Sequence, residues 1–191
     1  MITATPYLQI HSFLPYTLSN GPGIRCCLWL QGCTLACPGC FNPATHDPSI
    51  GTTLSVDHAY RLVTSCPYIK GVTISGGEPF QQARPLLELL TRIRNTTSFS
   101  TIVFTGYTMA ELSQQGILQA ARSAIDVLIA GRYVQSLDQA ENLIGSTNQI
   151  AHFFTNHYKP SDFANIPAAD LSITADGTIT ASGINPARLA S

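Results

Sequence analysis

The chain has 191 residues, of which 45% are hydrophobic and 11% charged; this composition is typical of a compact globular domain and excludes a disordered chain. The formal net charge of −1 comes without a basic block, which gives direct nucleic-acid binding no electrostatic support. The sequence shows neither a signal peptide nor an apolar run of roughly 20 residues, so we expect a cytoplasmic protein with no membrane partner.

The predicted elements alternate between strands and helices, which indicates βα units and a mainly parallel sheet. Short apolar strands are predicted at 24–30, 71–75, 101–104 and 126–130. Apolar residues at helical spacing predict helices at 55–65, 82–94, 109–114 and 117–122. We expect Ser55 to cap the first helix, and Pro85 to be tolerated because it lies in the first turn of the second.

The C-terminal part has a different character. Residues 159–169 are rich in proline, alanine and polar residues and predict a loop. Alternating runs at 171–175 and 178–181 flank Asp176-Gly177, a pair that favours a β-hairpin because glycine tolerates the positive φ of a type I′ turn. We therefore divide the chain into a main domain, residues 1–158, and a C-terminal loop and β-hairpin extension, residues 159–191.

Three cysteines lie in the run Cys33-Thr34-Leu35-Ala36-Cys37-Pro38-Gly39-Cys40, which Phe41 follows. Three thiolates are one ligand fewer than a closed tetrahedral metal site needs, which indicates a metal centre with an open position. The uneven spacing and the aromatic residue favour an iron–sulfur cluster. A zinc site, with His46 as the fourth ligand of a Cys3His set, remains an alternative.

The other cysteines, Cys26, Cys27 and Cys66, are predicted to be core residues. Cys26 and Cys27 are neighbours in a strand and point to opposite faces, so both cannot reach one site. Cys66 lies at a helix end and suits the core as a small hydrophobic residue. In a reducing cytoplasm, the clustering of the remaining three favours metal ligation over a disulfide framework.

A second candidate element, Ser75-Gly76-Gly77-Glu78-Pro79, follows the predicted strand at 71–75. Ligands bind at the carboxyl ends of parallel strands in open α/β sheets and barrels. The two glycines allow the backbone to come close to a ligand, Glu78 offers a carboxylate, and Pro79 stiffens the turn. Taken alone, the same run also fits an ordinary βα turn.

Together, the C-x3-C-x2-C loop and the Gly-Gly-Glu-Pro turn resemble the radical S-adenosylmethionine enzymes. The resemblance implies an α/β fold, an incomplete open (βα) barrel. It implies that Cys33, Cys37 and Cys40 hold a [4Fe–4S] cluster by three irons, while S-adenosylmethionine chelates the fourth. In this family the cluster donates one electron, the cofactor is cleaved, and a 5′-deoxyadenosyl radical abstracts a hydrogen atom.

The same resemblance implies roles for the residues around the cluster. Gly39, Cys40 and Phe41 would line the adenine side of S-adenosylmethionine. Gly76, Gly77 and Glu78 would hold its methionine end. The resemblance implies no catalytic residue beyond the cluster, because the cofactors supply the chemistry.

Further segments narrow the resemblance to the activases of glycyl-radical enzymes, most of all those of anaerobic ribonucleoside-triphosphate reductase. These segments are 20–25, 104–107, 126–129, 131–134 and 145–149. The resemblance implies an oxidoreductase that installs a glycyl radical on a partner protein, with a reduced flavodoxin or ferredoxin as electron donor. Arg25, Tyr107 and Arg132 are candidates for contacts with the substrate loop, although Arg25 fits a solvated strand-edge charge equally well.

Two positions depart from the pattern of these activases. Ile144 stands where an arginine is expected, and Ala130 where an aspartate is usual. The departures leave the identity of the partner open.

Two alternatives to the activase function remain. One is a radical S-adenosylmethionine enzyme acting on a small molecule or peptide. The other is a non-enzymatic zinc or iron–sulfur binding module.

The 145–149 box, Gly-Ser-Thr-Asn-Gln, is either structural or faces the partner, and we favour the structural interpretation.

Overall fold

The computed structural model describes residues 6–173 and 176–184; the ends of the chain and residues 174–175 of the predicted hairpin lie outside the described residues. Its strands are β1 (Tyr7–Thr17), β2 (Arg25–Leu30), β3 (Thr52–Ser55), β4 (Gly71–Gly76), β5 (Ser100–Thr105), β6 (Val127–Ala130), β7 (Asp138–Glu141), β8 (Ile144–Ser146), β9 (Ile150–Phe153), β10 (Ala169–Ile173) and β11 (Ile179–Gly183). Its helices are α1 (Val56–Thr64), α2 (Ala83–Thr96), α3 (Met109–Gln114) and α4 (Leu118–Ala124). The α/β class predicted from the sequence is confirmed.

Seven of these strands form one mixed sheet in the order β3-β1-β2-β4-β5-β6-β9. Its centre is parallel, because β2, β4, β5 and β6 all run in the same direction. These are the four strands predicted from apolar runs. Antiparallel strands flank them on both sides, with β1 and β3 at one edge and β9 at the other. The parallel centre brings the carboxyl ends of four strands to one edge of the sheet.

The helices begin and end where their residues dictate. The Ser55 hydroxyl caps α1 by accepting the His58 amide at 3.2 Å, as predicted. Pro85 is the third residue of α2, where its missing N–H has no intrahelical partner to lose. Thr108 and Glu111 form a reciprocal capping box at the start of α3. No helix among the described residues has the length and apolar character needed to cross a membrane.

Hydrophobic side chains pack on both faces of the sheet. The larger cluster joins the sheet to the helices and includes Leu28, Ile74, Leu90 and Leu128. The smaller cluster lies against the alternate residues of β5 and β6, such as Ile102 and Ile129. Tyr158, at the end of the main domain, completes this smaller cluster with Phe163, Ile166 and Ile184 of the C-terminal part. The C-terminal part therefore covers one face of the sheet.

Strands β10 and β11 form an antiparallel pair whose polar face is turned towards the protein. Asp170 and Ser182 on that face bond to the turn after β1; Asp170 Oδ2 accepts the Leu18 amide at 2.5 Å and the Thr17 hydroxyl at 3.0 Å. On the opposite face, Leu171, Ile173 and Ile179 are 61%, 72% and 65% exposed. Because β1 runs antiparallel to β2, this attachment lies at the amino end of the parallel strands.

Arg25 is fully buried, which contradicts both interpretations of it from the sequence, a substrate contact and a solvated charge. Its guanidinium donates to Thr73 Oγ1 at 2.8 Å, Ser100 Oγ at 2.8 Å and the Tyr158 hydroxyl at 2.9 Å. Two further bonds reach the carbonyls of Val72 and Ser100. Burial lowers the pKa of this guanidinium, and neutral acceptors satisfy it. Arg25 therefore ties β2 to β4, β5 and Tyr158, the last residue before the C-terminal part.

Candidate functional site

A cleft opens at the carboxyl ends of the four parallel strands, which is where open α/β sheets bind ligands. Each strand leads into one part of its wall. The cysteine loop follows β2, the glycine turn follows β4, Thr105 and Gly106 end β5, and Gly131 and Tyr133 follow β6. All three cysteines of the loop, Cys33, Cys37 and Cys40, line this cleft together with Gly76, Gly77 and Glu78. Two elements about forty residues apart in the sequence thus meet in one site.

Backbone and side-chain hydrogen bonds fix the cysteine loop at both of its ends. The Cys33 amide donates to the His46 carbonyl at 3.0 Å, and the Cys40 amide to the Cys37 carbonyl at 3.1 Å. In its middle, the Gln81 amide group exchanges two bonds with Thr34, at 2.7 and 3.2 Å, which ties the loop to the segment after the glycine turn. The loop is therefore held in place without help from its thiols.

The thiols suit an iron–sulfur cluster in both burial and hydrogen bonding. All three are half-buried, and burial raises the pKa of Cys33 and of Cys40. The Asn42 amide donates to Cys40 Sγ at 3.4 Å, a contact of the kind that stabilises cluster sulfurs. Coordination to a metal deprotonates a thiol outright and so overcomes the effect of burial on its pKa.

The zinc alternative requires a different geometry from the iron–sulfur cluster. His46 does line the cleft. Yet no group of three or more His, Cys, Asp or Glu side chains within residues 6–173 and 176–184 is arranged to hold a single metal ion. A [4Fe–4S] cluster spreads its cysteine ligands over separate irons and needs no such common point. The cysteine loop therefore needs no such common point to hold a cluster.

The two glycines allow the turn to pack directly against the backbone of Leu30 and Gly32. A Cβ on Gly76 would lie 2.4 Å from the carbonyl oxygen of Leu30, and one on Gly77 would lie 2.2 Å from that of Gly32. The Gly77 amide donates to Leu30 at 2.8 Å, and the Glu78 amide to Gly32 at 2.9 Å. The glycine turn and the start of the cysteine loop therefore form one continuous backbone floor.

The Glu78 carboxylate is 1% exposed and bonded to protein donors. Its Oε1 accepts the Phe80 amide at 2.9 Å and the Thr105 hydroxyl at 2.8 Å, while Oε2 accepts the Gly106 amide at 2.7 Å. Burial raises the pKa of this carboxyl to about 7, against the opposing effect of these three donors. Glu78 thus fastens the end of β4 to the end of β5.

An aromatic pair, Phe41 and Tyr133, also lines the cleft. The rings of Phe41 and Tyr133 meet edge to face with centroids 5.2 Å apart. A Cβ on Gly39, which is predicted beside Cys40 and Phe41 as a cofactor contact, would lie 2.5 Å from Gln135 Cδ. Cys40 and Phe41 do line the cleft. The lining of the cleft therefore combines the polar backbone of the glycine turn with aromatic side chains.

The 145–149 box fixes the segment after β6 to the cleft. Gln149 Oε1 accepts the amides of Gly145 and Ser146, and its Nε2 donates to the Gly131 carbonyl at 2.8 Å. Asn148 Nδ2 donates to the Arg132 carbonyl at 2.8 Å. The polar side chains of the box serve the fold, and Gln149 also lines the cleft.

The sequence comparisons agree with the chemistry of this cleft. Residues 19–152 match the family model described as a 4Fe-4S single cluster domain. The match makes the chain an iron–sulfur protein with one cluster-binding domain, and it covers both the cysteine loop and the glycine turn.

Individual relatives show which kind of iron–sulfur protein this chain resembles. The anaerobic ribonucleoside-triphosphate reductase-activating protein of Vibrio cholerae is 34% identical over 158 residues, covering 78% of this chain and 99% of the relative. The protein of that name from Escherichia coli K12 is 32% identical over 153 residues, with 76% and 98% covered. The bacteriophage T4 protein of that name is 30% identical over 140 residues, with 71% and 87% covered.

The chain belongs to the family of anaerobic ribonucleoside-triphosphate reductase-activating proteins. The family predicted from the sequence, the glycyl-radical activases among the radical S-adenosylmethionine enzymes, is thereby confirmed, with a [4Fe–4S] cluster and S-adenosylmethionine as its cofactors. Among solved structures, QueE from Escherichia coli gives a TM-score of 0.42 at 22% identity over 53% of each chain. That likeness is too partial to support an argument.

Proposed function

We propose that this protein activates an anaerobic ribonucleoside-triphosphate reductase by installing a glycyl radical on it. The observation that carries the proposal is the meeting of three half-buried thiols and the glycine turn in one cleft, in a chain of the activating-protein family. When bound, the [4Fe–4S] cluster supplies the electron that cleaves S-adenosylmethionine and yields the radical that removes a hydrogen atom. The reductase as partner follows from the names of the relatives.

Different residues of the cleft would bind the cluster and the two ends of S-adenosylmethionine. Cys33, Cys37 and Cys40 would ligate three irons of the cluster. The backbone of Gly76 and Gly77, braced by the buried Glu78, would present polar groups to the methionine end. Gly39, Cys40 and Phe41 would line the adenine side, and a side chain at position 39 would collide with Gln135.

Membership of this family also supports proposals for the fold, the domain limits, the electron donor and the cellular location. We propose that the seven-stranded sheet is the incomplete barrel of the radical S-adenosylmethionine fold, with residues 159–191 as an extension beyond a domain at 1–158. A reduced flavodoxin or ferredoxin would deliver the electron, and the cytoplasm would keep the thiols reduced. Neither nucleic acid nor membrane is needed as a partner.

Anaerobic purification of the full chain tests the chemistry. We expect a brown protein with about four irons per chain that cleaves S-adenosylmethionine when reduced. Cys37→Ala should lose iron and cofactor cleavage, while Cys66→Ala, outside the loop, should keep both. A colourless protein with one zinc would refute the proposal, and cleavage retained in Cys37→Ala would refute the ligand assignment.

Electron paramagnetic resonance tests the partner separately. Mixing the reduced protein with the anaerobic reductase and S-adenosylmethionine should produce a glycyl-radical signal on the reductase. Cofactor cleavage without a radical on any glycyl-radical protein would instead favour a small molecule or peptide as the substrate.

A further inference from the structure

The segment after β6 contacts the loop after β5 at the edge of the cleft. Its backbone is held by the 145–149 box, because Gln149 donates to the Gly131 carbonyl and Asn148 to the Arg132 carbonyl, each at 2.8 Å. With its backbone fixed in this way, Arg132 extends its side chain across to the loop that follows β5. It thereby links two strand ends that are adjacent in the sheet.

The guanidinium of Arg132 is itself held by two partners. Its Nη1 donates to the Gly106 carbonyl at 2.9 Å and to Glu111 Oε2 at 2.8 Å. Glu111 is fixed in turn, since it accepts the Thr108 amide at 2.7 Å within the capping box of α3. The guanidinium carbon also lies 5.6 Å from the centre of the Tyr107 ring. Arg132 is therefore anchored by its surroundings and is not a free surface charge.

Gly106 hydrogen-bonds both to Arg132 and to Glu78 of the glycine turn. Its carbonyl accepts from Arg132, and its amide donates to Glu78 Oε2 at 2.7 Å. A Cβ on Gly106 would lie 2.4 Å from Leu35 Cδ1, so this residue also abuts the cysteine loop. A continuous chain of contacts thus runs from Arg132 through Gly106 to the buried carboxylate of Glu78.

We propose that Arg132 is a positioning residue for the cofactor-binding turn: it holds the Gly106 peptide on Glu78 and so sets the Gly76–Glu78 turn against the cysteine loop. This role is additional to the contact with the substrate loop expected from the sequence, which stays a prediction. The proposal rests on the proposed function for the identity of the cofactor, but the contacts that carry it belong to the protein alone. Its consequence is that Arg132 affects the binding of S-adenosylmethionine more than the chemical step.

Three variants of the full chain test this role. Arg132→Gln removes the anchoring charge, Arg132→Lys keeps a cationic donor, and Arg122→Gln is the matched control. Arg122 also lies over an aromatic ring, that of Phe154 at 5.7 Å, but it does not line the cleft. Two measurements are made on each variant: amide hydrogen exchange of the cluster-free protein, and kcat and KM for S-adenosylmethionine in the reconstituted, reduced protein.

In Arg132→Gln we expect faster exchange in peptides containing Gly106 and Glu78, with other peptides unchanged. The KM for S-adenosylmethionine should rise roughly tenfold, the effect expected from losing one charge-assisted hydrogen bond, while kcat changes much less. Arg132→Lys should recover part of both effects, because an ammonium can still donate to the Gly106 carbonyl. Arg122→Gln should match the wild type in both measurements.

The proposal is overturned if Arg132→Gln behaves as Arg122→Gln does, if its exchange rises uniformly along the chain, or if Arg132→Lys recovers nothing. A fall in kcat at unchanged KM would also overturn it. Failure of the wild type to cleave S-adenosylmethionine would count against the proposed function alone, since the exchange measurement still tests the hold of Arg132 on Gly106.

Discussion

Gly77 lies so close to Gly32 that a methyl group on Gly77 would meet the Gly32 carbonyl oxygen at 2.2 Å. The contact joins the turn after β4 to the residue just before Cys33. Because both sides of it are backbone, neither can move aside by changing a rotamer. The relative position of the glycine turn and the cysteine loop is therefore built into the main chain.

Replacing Gly77 with alanine should strongly disturb this contact. We expect Gly77→Ala to lose at least about 1–3 kcal/mol of stability, the typical effect of overpacking a closed site, because backbone must shift to admit the methyl group. Gly145→Ala is the comparison, since the nearest atom there is Phe41 Cε1 at 3.2 Å, in a side chain that can yield. Denaturant unfolding of both variants checks this; equal losses would contradict the explanation.

Replacing Glu78 with glutamine should destabilise the site without changing its size. Three donors point at the carboxylate, and a carboxamide must turn an NH2 group towards some of them. We expect a loss of about 1–3 kcal/mol, the penalty for a buried donor without an acceptor. Glu88→Gln, at an exposed position of α2, should leave the free energy of unfolding unchanged. A neutral Glu78→Gln would argue against this buried network.

Removing the Tyr158 hydroxyl should weaken the attachment to the sheet of the segment that leads into the C-terminal part. Tyr158 accepts from the buried Arg25 at 2.9 Å and lies 2.7 Å from Ser100 Oγ. Tyr158→Phe should lose about 1.5–3 kcal/mol, as expected when a hydrogen bond to a charged group is lost. Tyr68→Phe is the control, because Tyr68 is 90% exposed. Unfolding midpoints in urea check the difference, and equal midpoints in both variants would show that the Tyr158 bond contributes nothing.

The attachment of β10 and β11 should depend on pH. Burial raises the pKa of Asp170, but bonds from Ser182, the Leu18 amide, Thr17 and Ser19 outweigh it and leave the pKa below its ordinary value of 3.8. The unfolded chain therefore binds the proton more readily, so stability is full above about pH 4 and falls as pH drops through the lowered pKa. Asp170→Asn should remove this acid-dependent loss.

Urea unfolding and limited proteolysis near β10, measured from pH 6 down to pH 3, check the dependence on Asp170. The wild type should become less stable and more easily cleaved at the acid end, while Asp170→Asn changes less over the same range. A variant with the same pH profile as the wild type would show that another group is responsible.

The sequence predicted the central elements of the fold because their signals are local. Uninterrupted apolar runs marked the four parallel strands, and helical spacing with a capping serine marked α1. No element was predicted for residues 7–17, although β1 is the longest described strand. One neighbour, β2, follows after a short turn, but the other, β3, lies about 35 residues further along the chain. The pairing that makes β1 a strand therefore leaves little trace in its own residues.

The sequence by itself determined the chemistry of the site: three cysteines at fixed spacing and a glycine turn, each at the end of a predicted strand. Spacing of this kind survives in the sequence because metal ligation and tight turns restrict residue type directly. Only the tertiary structure decided what Arg25, Glu78 and Arg132 do. Apart from the Phe80 amide beside Glu78, the partners of these side chains are separated from them by 20 or more residues. Long polar side chains take their roles from neighbours that only folding supplies.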